Sequence, residues 1–250
     1  MKRILLAIPL VALCASFAAS PRRSVAASPF TASPVSAPAP IRVLLVTGGH
    51  NHDVEFYDVF RVDRFRTTVD PHPMAFSGDI RKRYDVVVLY DMVRSLEEPR
   101  RKNLRDFVES GKGVVLLHHA ICANVDWQWW YEEVAGGRYL FDEVNGRKSS
   151  YLHDVEQTIK PLMDHPITRG ISPFRIVDET YKDVWMSPKA KPLLHSDHPT
   201  SDGVVGWISP YEKSRVVYIQ LGHDRQANLN PNWQRLVRNA IEWAGERRGM

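Results

Sequence analysis

The chain has 250 residues, with 33 Lys and Arg against 29 Asp and Glu and a formal net charge of +4. The excess lies in Lys2, Arg3, Arg22 and Arg23; residues 1–40 hold no acid, so removing those four leaves 29 basic against 29 acidic residues over 41–250. A near-neutral domain with no basic stripe excludes nucleic acid as an expected partner.

The first 40 residues do not read as folded protein. A basic start, Met1–Arg3, precedes the apolar run Ile4–Ala19 and then Ser, Pro and Ala. This is the layout of a secretory signal peptide, and the run is too short for a transmembrane span. Cleavage after Ala18 and after Ala27 both fit; the leader is taken as residues 1–27, with export to the periplasm or beyond. Leu13 occupies the position before Cys14 where lipid attachment needs a small residue, and an uncleaved anchor is the other alternative. Residues 28–40 alternate Pro with small residues, as in an extended linker. Residues 41–250 are then one domain, long enough to bury a core without staples. Cys122 is its only cysteine, so it holds no intrachain disulfide.

Ile41–Thr47 is an apolar run ended by Gly48-Gly49, the pattern of a strand buried on both faces. Arg66–Val69 is a weaker strand. Asp85–Tyr90 and Val114–Leu117 are two more buried strands, flanking a helix over Glu97–Ser110 that stops at Gly111. Strand, helix, strand in this order predicts a parallel sheet. Asp126–Arg138 is rich in aromatics. Asp154–Ile159, Arg175–Tyr181, Pro192–Ser196 and Val204–Ile208 are strand candidates, and Arg215–Leu221 is a fourth buried strand. Asn230–Arg247 closes the chain as an amphipathic helix, with Pro231 at its start.

All ten histidines fall in the domain, and their placement is the most informative feature. His50 and His52 follow the first strand, His118 and His119 the third buried strand, and His223 the last. Carboxyl ends of parallel strands share one sheet edge, where ligands bind, so these groups are expected to converge. Imidazole binds metals and moves protons near neutral pH. Asp53 and Asp224 each follow a site histidine, either orienting it or capping a turn. Asp178-Glu179 in DETY supplies a base and a ligand, or is a solvated loop. Trp127, Trp129 and Trp130 stack on sugar or form a packed lid. His72, His165, His195 and His198 are expected to be structural. Gly48-Gly49 begins no complete phosphate-binding fingerprint.

The segments VLLVTGGHNHD, YDVVVLYD, GKGVVLLHHA, DETY and LGHD…NPNW…RNAIEWA, in this order, resemble the ThuA-like (trehalose utilisation) family over about Ile41 to Arg247. The resemblance implies an α/β fold of the flavodoxin-like, class I glutamine amidotransferase-like kind, with a mostly parallel central sheet and helices on both faces. His118 would fill the slot of the amidotransferase nucleophilic cysteine, with Cys122 four residues too late, and His223 the place of the catalytic histidine. The short stretch from Asp53 to Tyr84 leaves little room for the first helix and second strand of this fold. The resemblance further implies a carbohydrate partner, a keto-glycoside or disaccharide derivative, acted on by hydrolysis, elimination or isomerisation. His118, His223 and Glu179 are the expected catalytic groups. His50, Asp53, His119, Trp130, Tyr181 and Asp224 are expected to bind substrate. A divalent metal, zinc first, is expected on His52, His118, His153 and Glu179. The competing expectations are a non-catalytic carbohydrate-binding module and a hydrolase using Cys122; an oligomer is compatible with either.

Overall fold

A computed structural model describes residues 38–246; the leader and residues 28–37 of the linker lie outside them. The strands are β1 (Ile41–Gly48), β2 (Phe65–Pro71), β3 (Val86–Asp91), β4 (Gly113–Leu117), β5 (Gly137–Arg138), β6 (Ser150–Pro161), β7 (Phe174–Lys182), β8 (Trp185–Met186), β9 (Lys191–Ser196), β10 (Val204–Ile208) and β11 (Val216–Ile219). The α-helices are α1 (Arg100–Glu109), α2 (Arg225–Asn228) and α3 (Pro231–Gly245). Nine strands form one sheet in the order β2-β1-β3-β4-β11-β10-β9-β6-β7. The first five run parallel, in the doubly wound order in which β1 lies between β2 and β3. The remaining four are antiparallel to their neighbours. The sheet is therefore mixed, with a parallel half that carries the histidine-bearing strand ends.

Alternation along the parallel strands divides the core. Val43, Leu45, Val86, Val88, Val115 and Val217 share one cluster with the buried face of α3. Leu44, Val46, Val87, Leu89, Val114 and Leu116 share another with Leu104, Phe107 and Val108 of α1. This is why these strands read as continuous apolar runs. α3 begins where the Asn230 side chain accepts from the amides of Asn232 and Trp233, and Pro231 presets its first turn. Its Trp233, Leu236, Val237, Ala240, Ile241 and Ala244 are buried, the larger ones worth about 1.5–3 kcal/mol each. Gly113 permits α3 to lie close on β4, because a Cβ there would run into the Ala244 backbone.

The connection from β1 to β2 is short, as the sequence suggested. It holds one 3-10 helix, Val54–Phe60, instead of an α-helix, and β2 then pairs with β1 at the sheet edge. The aromatic segment forms a π-helical turn over Trp129–Val134. No described helix is long and apolar enough to cross a membrane.

Candidate active site

β4 ends at Leu117, and His118 follows with φ +49°, left-handed backbone that a side-chain-bearing residue rarely adopts. Tyr218 of β11 holds this turn by donating its hydroxyl to the His118 carbonyl at 3.0 Å. The His118 ring is 1% exposed. Its Nδ1 lies 2.7 Å from the Gln220 carbonyl, which can only accept, so Nδ1 carries a proton. In a neutral ring, Nε2 is then the bare nitrogen. That atom meets His223 Nδ1 at 2.9 Å, Glu179 Oε2 at 3.2 Å and the Tyr181 hydroxyl at 3.3 Å.

His223 is delivered by Gly222 after β11. Gly222 has φ +116°, and a Cβ there would press on the Trp233 ring; Tyr90 donates to its carbonyl at 2.7 Å. Asp178 of β7 clamps the same turn. Its carboxylate accepts from the amides of Gly222 (2.7 Å), His223 (3.0 Å) and Glu179 (2.8 Å). Neighbours in sequence thus take different roles: Asp178 holds backbone, and Glu179 faces the histidines. His153 joins through an irregularity in β6 between Leu152 and Val155, with Asp154 at φ +55°. Such bulges re-aim side chains, and His153 Nδ1 reaches Glu179 Oε1 at 3.2 Å.

His118, His153, Glu179 and Tyr181 border a cavity of about 550 Å³, walled also by His50, His119, Tyr139, Phe141 and Tyr151. His50 stands 4.6 Å from His119 and 5.6 Å from His223 between ring centroids. One set of metal-competent atoms emerges among the described residues. Single ligand atoms of His118, Glu179 and His223 all lie within 4.8 Å of one another.

Burial works to lower the His118 pKa, but the hydrogen bond and charge of Glu179 outweigh it and the net shift is upward. Burial likewise works to raise Glu179, and His118 and His223 outweigh it, so its carboxyl falls below the usual range. His223 is lowered by burial and by the charge of His118. A depressed acid contributes stability above its ordinary 4.5, lost as pH falls through its folded value. A raised histidine contributes below its ordinary 6.5, lost as pH rises past its folded value. Metal-free protein is therefore expected to be stabilised by this pair mainly between those two values. Thermal melts across pH check this: His118→Gln should flatten the alkaline fall, and an unchanged profile would contradict the pairing.

Of the expected site residues, His118, His223, Glu179, His153, His50, His119 and Tyr181 come together. His52 and His153 do not join the metal-competent set: the His52 Nε2 bonds the Tyr57 hydroxyl at 2.8 Å and its ring lies against Phe56 and Tyr90, and His153 meets the other Glu179 oxygen, Oε1. His223 completes the set instead. Asp53 accepts from the Arg225 amide at 2.8 Å, and Asp224 caps α2 by accepting from Ala227, so both hold the start of α2. Trp130 is 1% exposed and stacked on Trp127 in the core, and it does not line the cavity. Cys122 borders the cavity, but burial pushes its thiol far up, which withholds the thiolate a nucleophile needs. The clamp by Asp178 and the Gln220 carbonyl were not singled out in advance; the adjacent acids of DETY were the available signal for the first.

A family model described as ThuA: Trehalose utilisation matches residues 42–244. No curated protein matches the chain in sequence. Among solved structures, a ThuA-like protein from Parabacteroides merdae is similar with a TM-score of 0.70 and 20% identity, over 82% of this chain and 90% of that one. A ThuA-like protein from Bacteroides uniformis gives 0.63 and 19%, over 83% and 93%. PurLQS from Thermotoga maritima gives 0.56 and 11%, over 82% and 99%. At these identities the structural likeness speaks to the fold.

Proposed function

Because the chain belongs to the ThuA (trehalose utilisation) family over residues 42–244, we propose that it is an enzyme acting on a carbohydrate, a keto-glycoside or disaccharide derivative, at a histidine/carboxylate centre that holds a divalent metal. Hydrolysis, elimination and isomerisation are the reaction types this centre suits. The observation that carries the proposal is the meeting of His118 Nε2, His223 Nδ1 and Glu179 Oε2, with His118 and Glu179 on the cavity wall. Two imidazoles and one carboxylate are a common zinc donor set that leaves a position open. When bound, the metal would supply Lewis acidity and a water acidic enough to ionise near neutral pH.

The chain's own groups supply the rest. The Gln220 carbonyl fixes the His118 tautomer with Nε2 facing inward. Asp178 holds His223 by its backbone. His153, with its side chain 48% exposed beside Glu179 Oε1, is placed to pass protons between the site and water. His50, His119 and Tyr181 face the substrate. Export through the leader at residues 1–27 belongs to the same proposal.

The test is turnover of 3-keto-glycosides by purified protein before and after chelation and zinc return. Activity lost on chelation and regained with zinc supports the proposal. Sugar binding without turnover, unaffected by chelation, would favour a carbohydrate-binding module.

A further inference from the structure

Tyr139 is 8% exposed and borders the cavity, yet its hydroxyl makes no hydrogen bond among the described residues. Nor is that oxygen one of the enclosed, unpaired polar atoms. It is therefore open, and the cavity is the space that Tyr139 lines. Buried tyrosines normally pair their hydroxyl, so an open one with no partner suits a group that enters the cavity.

The surroundings extend this into a second binding position. Rings step away from His118 through Tyr181 and Tyr139 to Phe141, at 5.4, 5.6 and 5.1 Å between centroids. Another row runs from His223 through His153 to Tyr151, at 4.6 and 5.0 Å. Tyr151 is 59% exposed; Lys148 is also exposed and joins no ion pair among the described residues. Both border the cavity. Buried Ser149 ties the two chain segments together. Its hydroxyl accepts from the Leu140 amide at 2.8 Å and donates to the Asp183 carbonyl at 2.8 Å, and its amide donates to the Leu140 carbonyl at 3.0 Å. Tyr139 and Phe141, either side of Leu140, are thereby held near Lys148 and Tyr151. Aromatic faces suit the C–H faces of a pyranose ring, and an open hydroxyl and an ammonium suit its hydroxyl rim. Few polar groups among apolar walls is the usual make-up of a small-molecule site.

We propose that Tyr139, Phe141, Lys148 and Tyr151 form an outer subsite that holds the sugar leaving group of a glycoside whose other ring lies at His118, His223 and Glu179. The reaction is then cleavage of a glycosidic bond, since isomerisation of a single sugar needs no such position. The C–O bond breaks, its oxygen keeps the electron pair and gains a proton, and the second sugar leaves as an alcohol. Hydrolysis supplies the anomeric carbon with a water oxygen and the leaving oxygen with that water's proton. Elimination supplies them with the electron pair and the proton of the C–H bond on the neighbouring carbon. This rests on the carbohydrate function proposed above.

The experiment uses the full chain and the variants Tyr139→Phe, Lys148→Met and Tyr151→Ala. Calorimetry measures binding of a 3-keto-disaccharide and of the methyl 3-keto-glucoside that lacks the second ring, and product analysis follows turnover. Wild type should bind the disaccharide about tenfold more tightly and release the free second sugar. Each variant should weaken the disaccharide by about 2–10-fold, and far more than the methyl glycoside. Because the Tyr139 hydroxyl bonds nothing in the described protein, Tyr139→Phe should melt as wild type does; a lower melting temperature would make that hydroxyl structural and overturn its assignment. Equal wild-type affinity for both sugars, or variants that weaken both alike, would also overturn the proposal. Tighter binding of an aryl 3-keto-glucoside than of the disaccharide would give the subsite to an aromatic leaving group instead. If wild type binds no keto-sugar, the keto-glycoside function fails on its own. The outer subsite is then judged with unoxidised disaccharides, where binding weakened by Tyr139→Phe and Tyr151→Ala upholds it, and no binding or unchanged binding rejects it.

Discussion

Replacing His118 by alanine is expected to lower turnover by about 10²–10⁴-fold and to abolish stoichiometric metal binding. The His118 ring joins the other members of the proposed centre. Its Nε2 contacts His223, Glu179 and Tyr181, while its Nδ1 is fixed by the Gln220 carbonyl. Without it, His223 and Glu179 remain as two donors, too few for a three-ligand zinc site. Glu179, at 5% exposure, would also lose the partner that does most to hold its charge. Elemental analysis beside steady-state kinetics checks both parts. A variant that keeps its metal and most of its turnover would exclude His118 from the centre.

Asp178→Ala is expected to be the most destabilising single change in the site, by about 3–5 kcal/mol, as for one partner removed from a buried charged network. Its carboxylate is 2% exposed and serves the amides of Gly222, His223 and Glu179. Alanine leaves those donors without an acceptor and frees the turn that aims His223. Each kcal/mol should lower the melting temperature by about 2–4 °C. The effect has a sign in pH. Burial, against the charge of His118 and the three amides, pushes the Asp178 pKa up from 3.8 to about 6. An acid whose folded pKa is raised binds its proton more tightly in the folded state, so its contribution falls as pH rises between those values. The gap between wild type and Asp178→Ala should therefore be wider near pH 4 than near pH 7. Chemical denaturation at both pH values measures it, and a gap that widens with pH would contradict the account.

The parts of the site that were legible in the sequence are those that follow from strand ends. β1, β4 and β11 are apolar on both faces, which marks them as interior parallel strands, and adjacent parallel strands share a carboxyl edge. His50, His118 and His223 follow from that rule alone. Side-chain direction beyond a strand end has no period, so His50 and His52 could not be told apart until one faced the cavity and the other Tyr57. The same holds for Asp53 and Asp224, whose short carboxylates reached amide groups of α2 before any ligand. Glu179 and Asp178 arrive on an antiparallel strand at the far end of the sheet order, so no parallel-sheet rule divides their roles. Trp130 shows the limit of composition: the aromatic run packs into the core through a π-helical turn.

The central claim, that His118, His223 and Glu179 form a metal-holding catalytic centre, is tested most directly by anomalous diffraction at the zinc edge from crystals of the zinc-loaded protein. The account predicts one strong peak about 2.0–2.2 Å from His118 Nε2, His223 Nδ1 and a Glu179 carboxylate oxygen. A map with no peak there, and with the His118–His223 contact unchanged, would contradict it.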